Sequence, residues 1–288
     1  MKRDLYEEVT AKILAQLEAG VIPWQKPWDS AGIGGFPINA ITRKPYRGIN
    51  VLILACSAPA AGNGWATYKQ WDEIGSHVKK GEKGTTIVFF KPWTVEDKAT
   101  GKDKTVPVLR AFTVFHSSQV DPLPECLQPK PVAELPEHER IANCEAMLAL
   151  AKVIEAPSDR AFYRLDTDEI HLPKIGQFPN AGHYYATGLH ELTHWTMHKD
   201  RCDREAKFKR FGDTAYAREE LVAEMGSAFL CAHAGIEGKM QHASYLASWI
   251  KVLKEDSKAI VVAAGAAQKA ADWVLGKAFP VETTEHPE

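Results

Sequence analysis

The chain has 288 residues, of which 45% are hydrophobic and 25% are charged, which is the composition of a globular protein and excludes a disordered or fibrous one. Its formal net charge of −2 points to no particular partner. The five cysteines include no CxxC pair, which argues against a disulfide framework and against a thiolate zinc site.

The two ends of the chain show no targeting or membrane signal. The first twenty residues are charged and amphipathic, unlike a signal peptide. The longest apolar run near the C-terminus, AIVVAAGAA, is too short to span a bilayer. We therefore expect a cytoplasmic protein without a membrane partner.

The first half of the chain predicts an α+β domain. Apolar residues recur every four positions from Leu5 to Leu17 and predict a helix that ends at Gly20. A loop dense in Pro and Gly follows, and then NVLILACSA, which is either a buried helix or a buried strand. The runs TTIVFFKPWTV and VPVLRAFTVFH predict a hairpin around the polar tip EDKATGKDK.

A proline-rich segment separates the two halves. Residues 121–138 contain five prolines, a density that resists both helix and sheet. This predicts a first domain over residues 1–120, a linker over 121–138 and a second domain over 139–288.

The second half is mostly helical, with a small sheet. The pattern predicts helices at 139–154 and around 184–198, 216–233 and 241–276. A strand is predicted in YRLDTDEIHLP, closed by Pro173.

The stretch HELTH carries the clearest chemical signal. On a helix, His190 and His194 lie about 40° apart around the axis and about 6 Å apart along it, so both imidazoles can reach one cation. Glu191 points about 100° away, toward a water on the open side of that cation. Zinc suits imidazole nitrogen and lowers the pKa of its bound water to about 7, so that a neighbouring carboxylate can take the proton. The alternative is a surface helix with two incidental histidines, but the apolar flanks of this helix indicate burial.

A third ligand is expected from a second helix. The segment YAREELVAEMGSAFL places Glu220 and Glu224 one turn apart on one face, beside small residues that allow close approach. We assign Glu220 as the third ligand and Glu224 as the residue that holds an imidazole N–H. The alternatives are the reverse order of the two, or a simple ion pair of one of them with Arg201 or Arg218.

HELTHW followed about 30 residues later by EELVAE resembles the gluzincin metallopeptidases. The resemblance implies a glutamate ligand at Glu220 and a supporting acidic residue at Glu224, where Glu replaces the more usual Asp. It also implies that DTDEIHLP is the edge strand that holds an extended substrate. Three tyrosines, Tyr184, Tyr185 and Tyr216, are candidates to stabilise an oxyanion.

Aromatic and cationic residues alternate in the first half, where residues 20–120 contain 13 Lys/Arg against 7 Asp/Glu. Unpaired bases stack on aromatic rings while Lys and Arg follow phosphates, so the mixture suits single-stranded DNA. Composition alone leaves open the alternative of a folded core with a solvated basic rim. The candidate DNA-binding residues are Trp24, Lys26, Trp28, Lys44, Tyr46, Arg47, Lys69, Trp71, Lys79, Lys80 and Lys83.

PYRGINVLIL, WATYKQW and GSHVKKGEKGTTIVFF are similar to the N-terminal single-stranded-DNA-binding domain of the ArdC antirestriction proteins. The same domain occurs at the front of plasmid primases of the TraC type. Together with the HELTHW region, the similarity to the ArdC family covers nearly the whole chain. It implies a cytoplasmic protein that binds incoming single-stranded DNA during plasmid conjugation and protects it from host restriction.

Three functions follow from these patterns. The first is an antirestriction protein that binds single-stranded DNA and carries a zinc metallopeptidase site, with Mn or Co as other possible ions and a host restriction subunit as a possible substrate. The second is a DNA-binding protein whose metal is structural or inactive. The third is a DNA-associated protease without an antirestriction role. Glu191 favours catalysis, because a structural metal has no need of a base beside it.

Overall fold

The computed structural model describes residues 4–24, 36–59, 62–96, 103–128, 137–204, 214–236 and 243–280. The helices in these ranges are α1 (Leu5–Glu18), α2 (Ile49–Ser57), α3 (Tyr68–Glu73), α4 (Glu137–Leu148), α5 (Ala181–Trp195), α6 (Thr214–Ala234), α7 (Ala243–Glu255) and α8 (Ala259–Ala278). The strands are β1 (Ile38–Asn39), β2 (Gly64–Thr67), β3 (His77–Val78), β4 (Thr85–Glu96), β5 (Asp103–His116), β6 (Val120–Asp121), β7 (Lys152–Ala156), β8 (Phe162–Arg164) and β9 (Glu169–Pro173). The α+β class is as predicted.

The first half is built on a sheet with the strand order β1-β2-β5-β4. Strands β4 and β5 pair antiparallel from Thr85↔Val114 to Glu96↔Asp103, which confirms the predicted hairpin. The ambiguous run NVLILACSA is helix α2, which packs against β4. Asn50 of this helix bonds both backbone groups of Val88, donating to its carbonyl at 2.7 Å and accepting from its N–H at 2.9 Å. This amide therefore fastens the helix to the edge of the sheet.

The N-terminal helix α1 packs against helices of the second half. Asp4 caps it by accepting a hydrogen bond from the Tyr6 N–H at 2.9 Å, and the helix ends before Gly20, as predicted. The Thr10 hydroxyl donates to the Ser257 carbonyl at 2.6 Å, between α7 and α8. Trp24, just beyond α1, lies in the same hydrophobic core as α5 to α8. The start of the chain thus contributes to the core around the second-half helices.

The sheet of the second half corrects the predicted strand in YRLDTDEIHLP. This segment forms two strands, β8 and β9, joined by a turn in which Asp168 has a φ of 54°. The Asp168 carboxylate accepts hydrogen bonds from Tyr163 at 2.8 Å and from Arg201 at 3.0 Å. These bonds stabilise a turn that periodicity alone does not reveal.

The prediction that DTDEIHLP forms an edge strand is also wrong. Strand β9, which contains most of DTDEIHLP, pairs with β7 on one side and with β8 on the other, so it is the central strand. Strands β7 and β8 occupy the two outer positions.

Two helix predictions differ from the structure in their extent. The predicted helix 139–154 ends at Leu148, and the chain continues into β7 from Lys152. The predicted helix 241–276 is divided into α7 and α8, because the Asp256 side chain accepts a hydrogen bond from the Lys258 N–H at 2.9 Å and starts a new turn. Of the predicted linker, Asp121 pairs with His77 of β3, and residues 129–136 lie outside the described residues.

Helices α5 and α6 approach closely because a glycine faces the contact. A Cβ added at Gly226 would lie 2.4 Å from Thr193 Cγ2 of α5, far inside van der Waals contact. The next residue of α6, Ser227, donates a hydrogen bond from its hydroxyl to the Ala186 carbonyl of α5 at 3.1 Å. This close approach brings the chemical residues of the two helices together.

We expect Gly226→Ala to destabilise the protein. Overpacking costs about 1–3 kcal/mol, which exceeds the roughly 1 kcal/mol that Ala gains over Gly in a helix. Adding Thr193→Ser removes the clashing methyl group and should restore part of the loss. Denaturant unfolding of both variants measures this, and a Gly226→Ala protein as stable as the parent would refute the close contact.

Candidate metal centre

Helix α5 carries the two histidines on one face. Asn180 caps the helix by accepting a hydrogen bond from the His183 N–H at 3.0 Å. One turn separates His190 and His194, and their Nε2 atoms lie 3.2 Å apart. Both side chains are buried, so their ring nitrogens face the protein interior and the cleft beside it.

Helix α6 brings a carboxylate between the two rings. Glu220 Oε2 lies 3.5 Å from His190 Nε2, and its Oε1 lies 3.4 Å from His194 Nε2. Ligand atoms about 2.0–2.2 Å from one tetrahedral zinc ion would be about 3.3–3.5 Å apart, which is close to these separations, so the three residues are near enough to hold one such ion. The structure thus brings together the predicted ligands His190, His194 and Glu220.

The charges around this group favour a cation. Four carboxylates are buried here, those of Glu191, Glu219, Glu220 and Glu224. Burial raises the pKa of the Glu224 carboxyl to about 7, whereas the adjacent histidines hold the pKa of Glu220 well below its usual range against the effect of burial. Such a cluster of buried acids is costly unless a positive charge compensates it, which a divalent ion would do.

Glu224, which we predicted to hold an imidazole N–H, lies behind the first histidine at a distance longer than a hydrogen bond. Its Oε1 is 3.9 Å from His190 Nδ1, and its Oε2 accepts a hydrogen bond from Trp24 Nε1 at 3.3 Å. Trp24 belongs to the predicted first domain, so a residue near the start of the chain supports a metal-site carboxylate of the second half.

Glu219 lies behind the second histidine, and the sequence interpretation missed it. Its Oε1 is 3.6 Å from His194 Nδ1, and its two oxygens accept hydrogen bonds from Arg204 at 2.7 and 3.0 Å. Arg204 also donates to the Thr193 carbonyl at 2.9 Å, at the end of α5. The buried guanidinium therefore fixes the carboxylate that faces His194 Nδ1. The double glutamate of EELVAE was the available signal.

We expect Trp24→Phe to weaken metal binding by about tenfold, because it removes the N–H donor that orients Glu224. Trp249→Phe is the matched control: Trp249 is also buried and lies edge to face with Trp24 at 5.4 Å, but it donates to no carboxylate of the described metal centre. Both variants should lose some stability. Competition with a chromophoric chelator measures the affinity, and an equal effect of the two variants would reduce the role of Trp24 to packing.

Glu191 and the metal centre open into a cleft of about 740 Å³. One wall includes Phe162 of β8 and two further apolar residues, Leu165 and Phe178. One edge of β8 pairs with β9, and no strand of the described chain pairs with its other edge. The cleft therefore has a catalytic-type carboxylate, three candidate metal ligands and a strand edge along one side.

The structure separates the three candidate tyrosines. The hydroxyl of Tyr184 donates to Glu155 at 2.5 Å, and that of Tyr185 donates to Glu145 at 2.7 Å, and neither residue lines the cleft. Tyr216 lines the cleft, and its hydroxyl lies 3.2 Å from that of Tyr245. Burial raises the pKa of the Tyr216 phenol, so it stays protonated and able to donate at neutral pH.

The predicted DNA-binding residues divide into several groups. The predictions that Trp24 and Trp71 bind DNA are wrong. Both side chains are completely buried, so neither ring can stack on a base. Trp71 instead donates to the Phe115 carbonyl at 3.1 Å. Lys26 and Trp28 lie outside the described residues.

The remaining candidates are on two surfaces. The following residues line a groove beside the β4–β5 sheet: Lys44, Tyr46, Arg47 and Lys69. Lys79, Lys80 and Lys83 lie on the turn after β3, outside this groove, and Lys79 Nζ donates to the Ser118 carbonyl at 2.9 Å.

No described helix is both long enough and apolar enough to cross a bilayer.

Two family models match the chain. Residues 3–115 match the N-terminal domain of the anti-restriction factor ArdC, and residues 142–266 match a zincin-like metallopeptidase domain. The Escherichia coli protein called DNA primase TraC is 41% identical over 99% of this chain, which spans only 28% of that primase. The protein y4eC of Sinorhizobium fredii (strain NBRC 101917 / NGR234) is 39% identical, over 98% of this chain and 95% of y4eC.

Solved structures show the same fold. The metal-free crystal structure of the antirestriction ArdC protein from the R388 plasmid is 40% identical, with a TM-score of 0.80 over 96% of this chain and 98% of ArdC. The Mn(II)-bound structure of the same protein has a TM-score of 0.79 over 97% of this chain and 100% of ArdC.

Proposed function

The chain belongs to the ArdC-type antirestriction family, and on that premise we propose that it binds the single DNA strand of an incoming plasmid and hydrolyses peptide bonds at its metal centre. It carries an ArdC-type N-terminal domain and a zincin-like metallopeptidase domain. We place these functions in residues 1–120 and 139–288 respectively, and the protein acts in the cytoplasm during conjugation. A host restriction subunit is the proposed class of protein substrate.

One observation carries the peptidase part of the proposal. His190, His194 and Glu220 converge on one point, and Glu191 lies in the same cleft. A purely structural zinc site is closed by four protein ligands, whereas the described donors number three and face an open cleft. This arrangement favours catalysis over the structural or inactive metal.

The residues of the cleft divide the work of peptide hydrolysis. A bound zinc ion would supply Lewis-acid activation of the attacking water and of the scissile carbonyl. Glu191 accepts the proton of that water and passes it to the leaving amine. We assign the oxyanion to the Tyr216 phenol, which lines the cleft and would donate a hydrogen bond, and the substrate to the outer edge of β8, where it would add as a strand.

Zinc is the proposed ion because two imidazoles and one carboxylate are a common catalytic zinc set. Manganese is the first alternative, since a homologous ArdC protein has a Mn(II)-bound structure, and cobalt is a further one.

The proposal is tested on the full chain with two assays. Binding of a labelled 20-nucleotide strand should be tighter than binding of the same sequence as duplex, and should weaken as salt rises. Unfolded casein and purified restriction subunits, incubated with the zinc-loaded protein, should show new N-termini that a chelator prevents. Equal affinity for both DNA forms would overturn the first assignment, and absence of any chelator-sensitive cleavage would favour a DNA-binding protein with an inactive metal. Cleavage without protection of DNA from restriction would instead indicate a DNA-associated protease.

A further inference from the structure

Two phenylalanines stand side by side on the open face of the β4–β5 sheet. In the strand register Phe89 pairs with Arg110 and Ile87 pairs with Phe112, so all four side chains are on one face. The rings of Phe89 and Phe112 are 5.4 Å apart and perpendicular, and their residues are 48% and 45% exposed. Two adjacent half-exposed aromatic rings on a regular sheet are unfavourable in water and indicate a binding surface.

The phenylalanines lie in a groove with a rigid floor. The groove has a volume of about 1250 Å³, and its floor includes Ile87 and Val114. These two residues pack with Tyr46, Leu54 and Trp65 in a small buried cluster. The aromatic pair is therefore presented on a firmly packed sheet, as a stacking platform requires.

The rim of the groove is positively charged. Four of its residues are cations, Lys44, Arg47, Lys69 and Arg110, and one is an acid, Glu73. Glu73 lies 3.6 Å from Lys69, and Arg47 pairs with Asp272 of α8. Within the described part of the chain, Lys44 and Arg110 have no ion-pair partner, so both are available to an anionic ligand.

We propose that single-stranded DNA binds in this groove, with bases stacked on Phe89 and Phe112 and phosphates held by Arg110 and Lys44. This inference rests on the proposed DNA-binding function and gives it a location. A single strand offers bare base faces and phosphates together, which matches exposed rings bordered by cations. A duplex hides its base faces, and an acidic peptide would use the cations without needing the pair of rings.

The groove contains only some of the residues that the sequence favoured, among them Lys44, Arg47 and Lys69. The candidate rings of Trp24 and Trp71 are buried, and the lysines after β3 lie outside the groove. The stacking residues are phenylalanines of the hairpin, and Arg110 pairs with one of them across the strands.

The test is fluorescence anisotropy of a labelled 20-nucleotide oligothymidine with the full chain, at a series of salt concentrations. The double variant Phe89→Ala/Phe112→Ala should lose about tenfold or more in affinity, and its preference for single strands over duplex should fall. Tyr68→Ala is the matched control, since Tyr68 is an exposed aromatic residue of the same half that does not line the groove. Its affinity should equal that of the parent.

The charges are tested in the same way. Arg110→Gln should weaken binding and reduce the slope of log affinity against log salt by about 0.7, the contribution of one phosphate contact on a single strand. Lys12→Gln, on an exposed position of α1, should leave the slope unchanged.

The outcomes separate the groove from the function. A parent protein that binds no single strand would overturn the proposed DNA-binding function itself. A parent that binds, together with groove variants that bind equally well and melt at the same temperature, would overturn the groove alone. Weakening by Arg110→Gln without any effect of the phenylalanine pair would contradict base stacking on Phe89 and Phe112 and overturn the proposed binding mode.

Discussion

Replacing Glu191 with Gln is expected to abolish peptide hydrolysis while the metal stays in place. Gln has nearly the same size but cannot accept the proton of the attacking water, and loss of a general base lowers the rate by about 10²–10⁴-fold. The predicted ligands His190, His194 and Glu220 are untouched, so zinc content and the melting temperature should match those of the parent. Initial cleavage rates and elemental analysis of the same preparations measure both quantities.

Glu139→Gln is the matched control for this change. Glu139 is an exposed residue of α4 in the same half of the chain, and it does not line the cleft. This variant should cleave like the parent. Chelator-sensitive cleavage that survives Glu191→Gln would show that another group takes the proton.

Replacing His190 with Ala is expected to remove the metal and the stabilisation that it provides. The two helices α5 and α6 both contribute ligands, so metal binding holds them together and should raise the melting temperature of the parent. In His190→Ala the melting temperature should no longer respond to zinc or to a chelator. Elemental analysis after dialysis should find no bound ion.

Glu220→Gln and Glu224→Gln separate the ligand from the supporting residue. Glu220 faces both Nε2 atoms, so its loss should equal that of His190. Glu224 lies behind the ring of His190, so its loss should weaken metal binding by only about 10–100-fold. A larger effect of Glu224→Gln than of Glu220→Gln would reverse the two roles.

The core of the metal centre was accessible from sequence because helical spacing determines it locally. His190 and His194 are one turn apart on any regular helix, and Glu220 and Glu224 are related in the same way. The glycine at 226 indicated that the two helices could approach. Two short periodic patterns thus predict one site, once the helices are assumed to pack.

The remaining parts of the site depend on contacts that no local pattern encodes. Trp24 contacts Glu224, which is 200 positions away in the sequence. The sequence alone does not distinguish a buried tryptophan from one that stacks on a base. Arg204 contacts Glu219 across a segment of which only the ends are described. The strand that borders the cleft, β8, has only three residues, which is too short for a periodic pattern to predict it.

The aromatic residues of the first half show the same limit. Trp71 and Phe89 both lie near lysines in the sequence, yet one is fully buried and the other is half exposed. Only the sheet register places Phe89 beside Phe112 and Arg110. Composition predicts a nucleic-acid-binding mixture, and the fold decides which of its rings are available.

The most direct measurement is the anomalous diffraction of crystals of the zinc-loaded full chain, recorded at the zinc edge. The proposal predicts one strong peak about 2.0–2.2 Å from His190 Nε2, His194 Nε2 and a Glu220 oxygen, with Glu191 beside it and not ligating. A peak bound by Glu224 in place of Glu220, or an ion held away from both imidazoles, would contradict it.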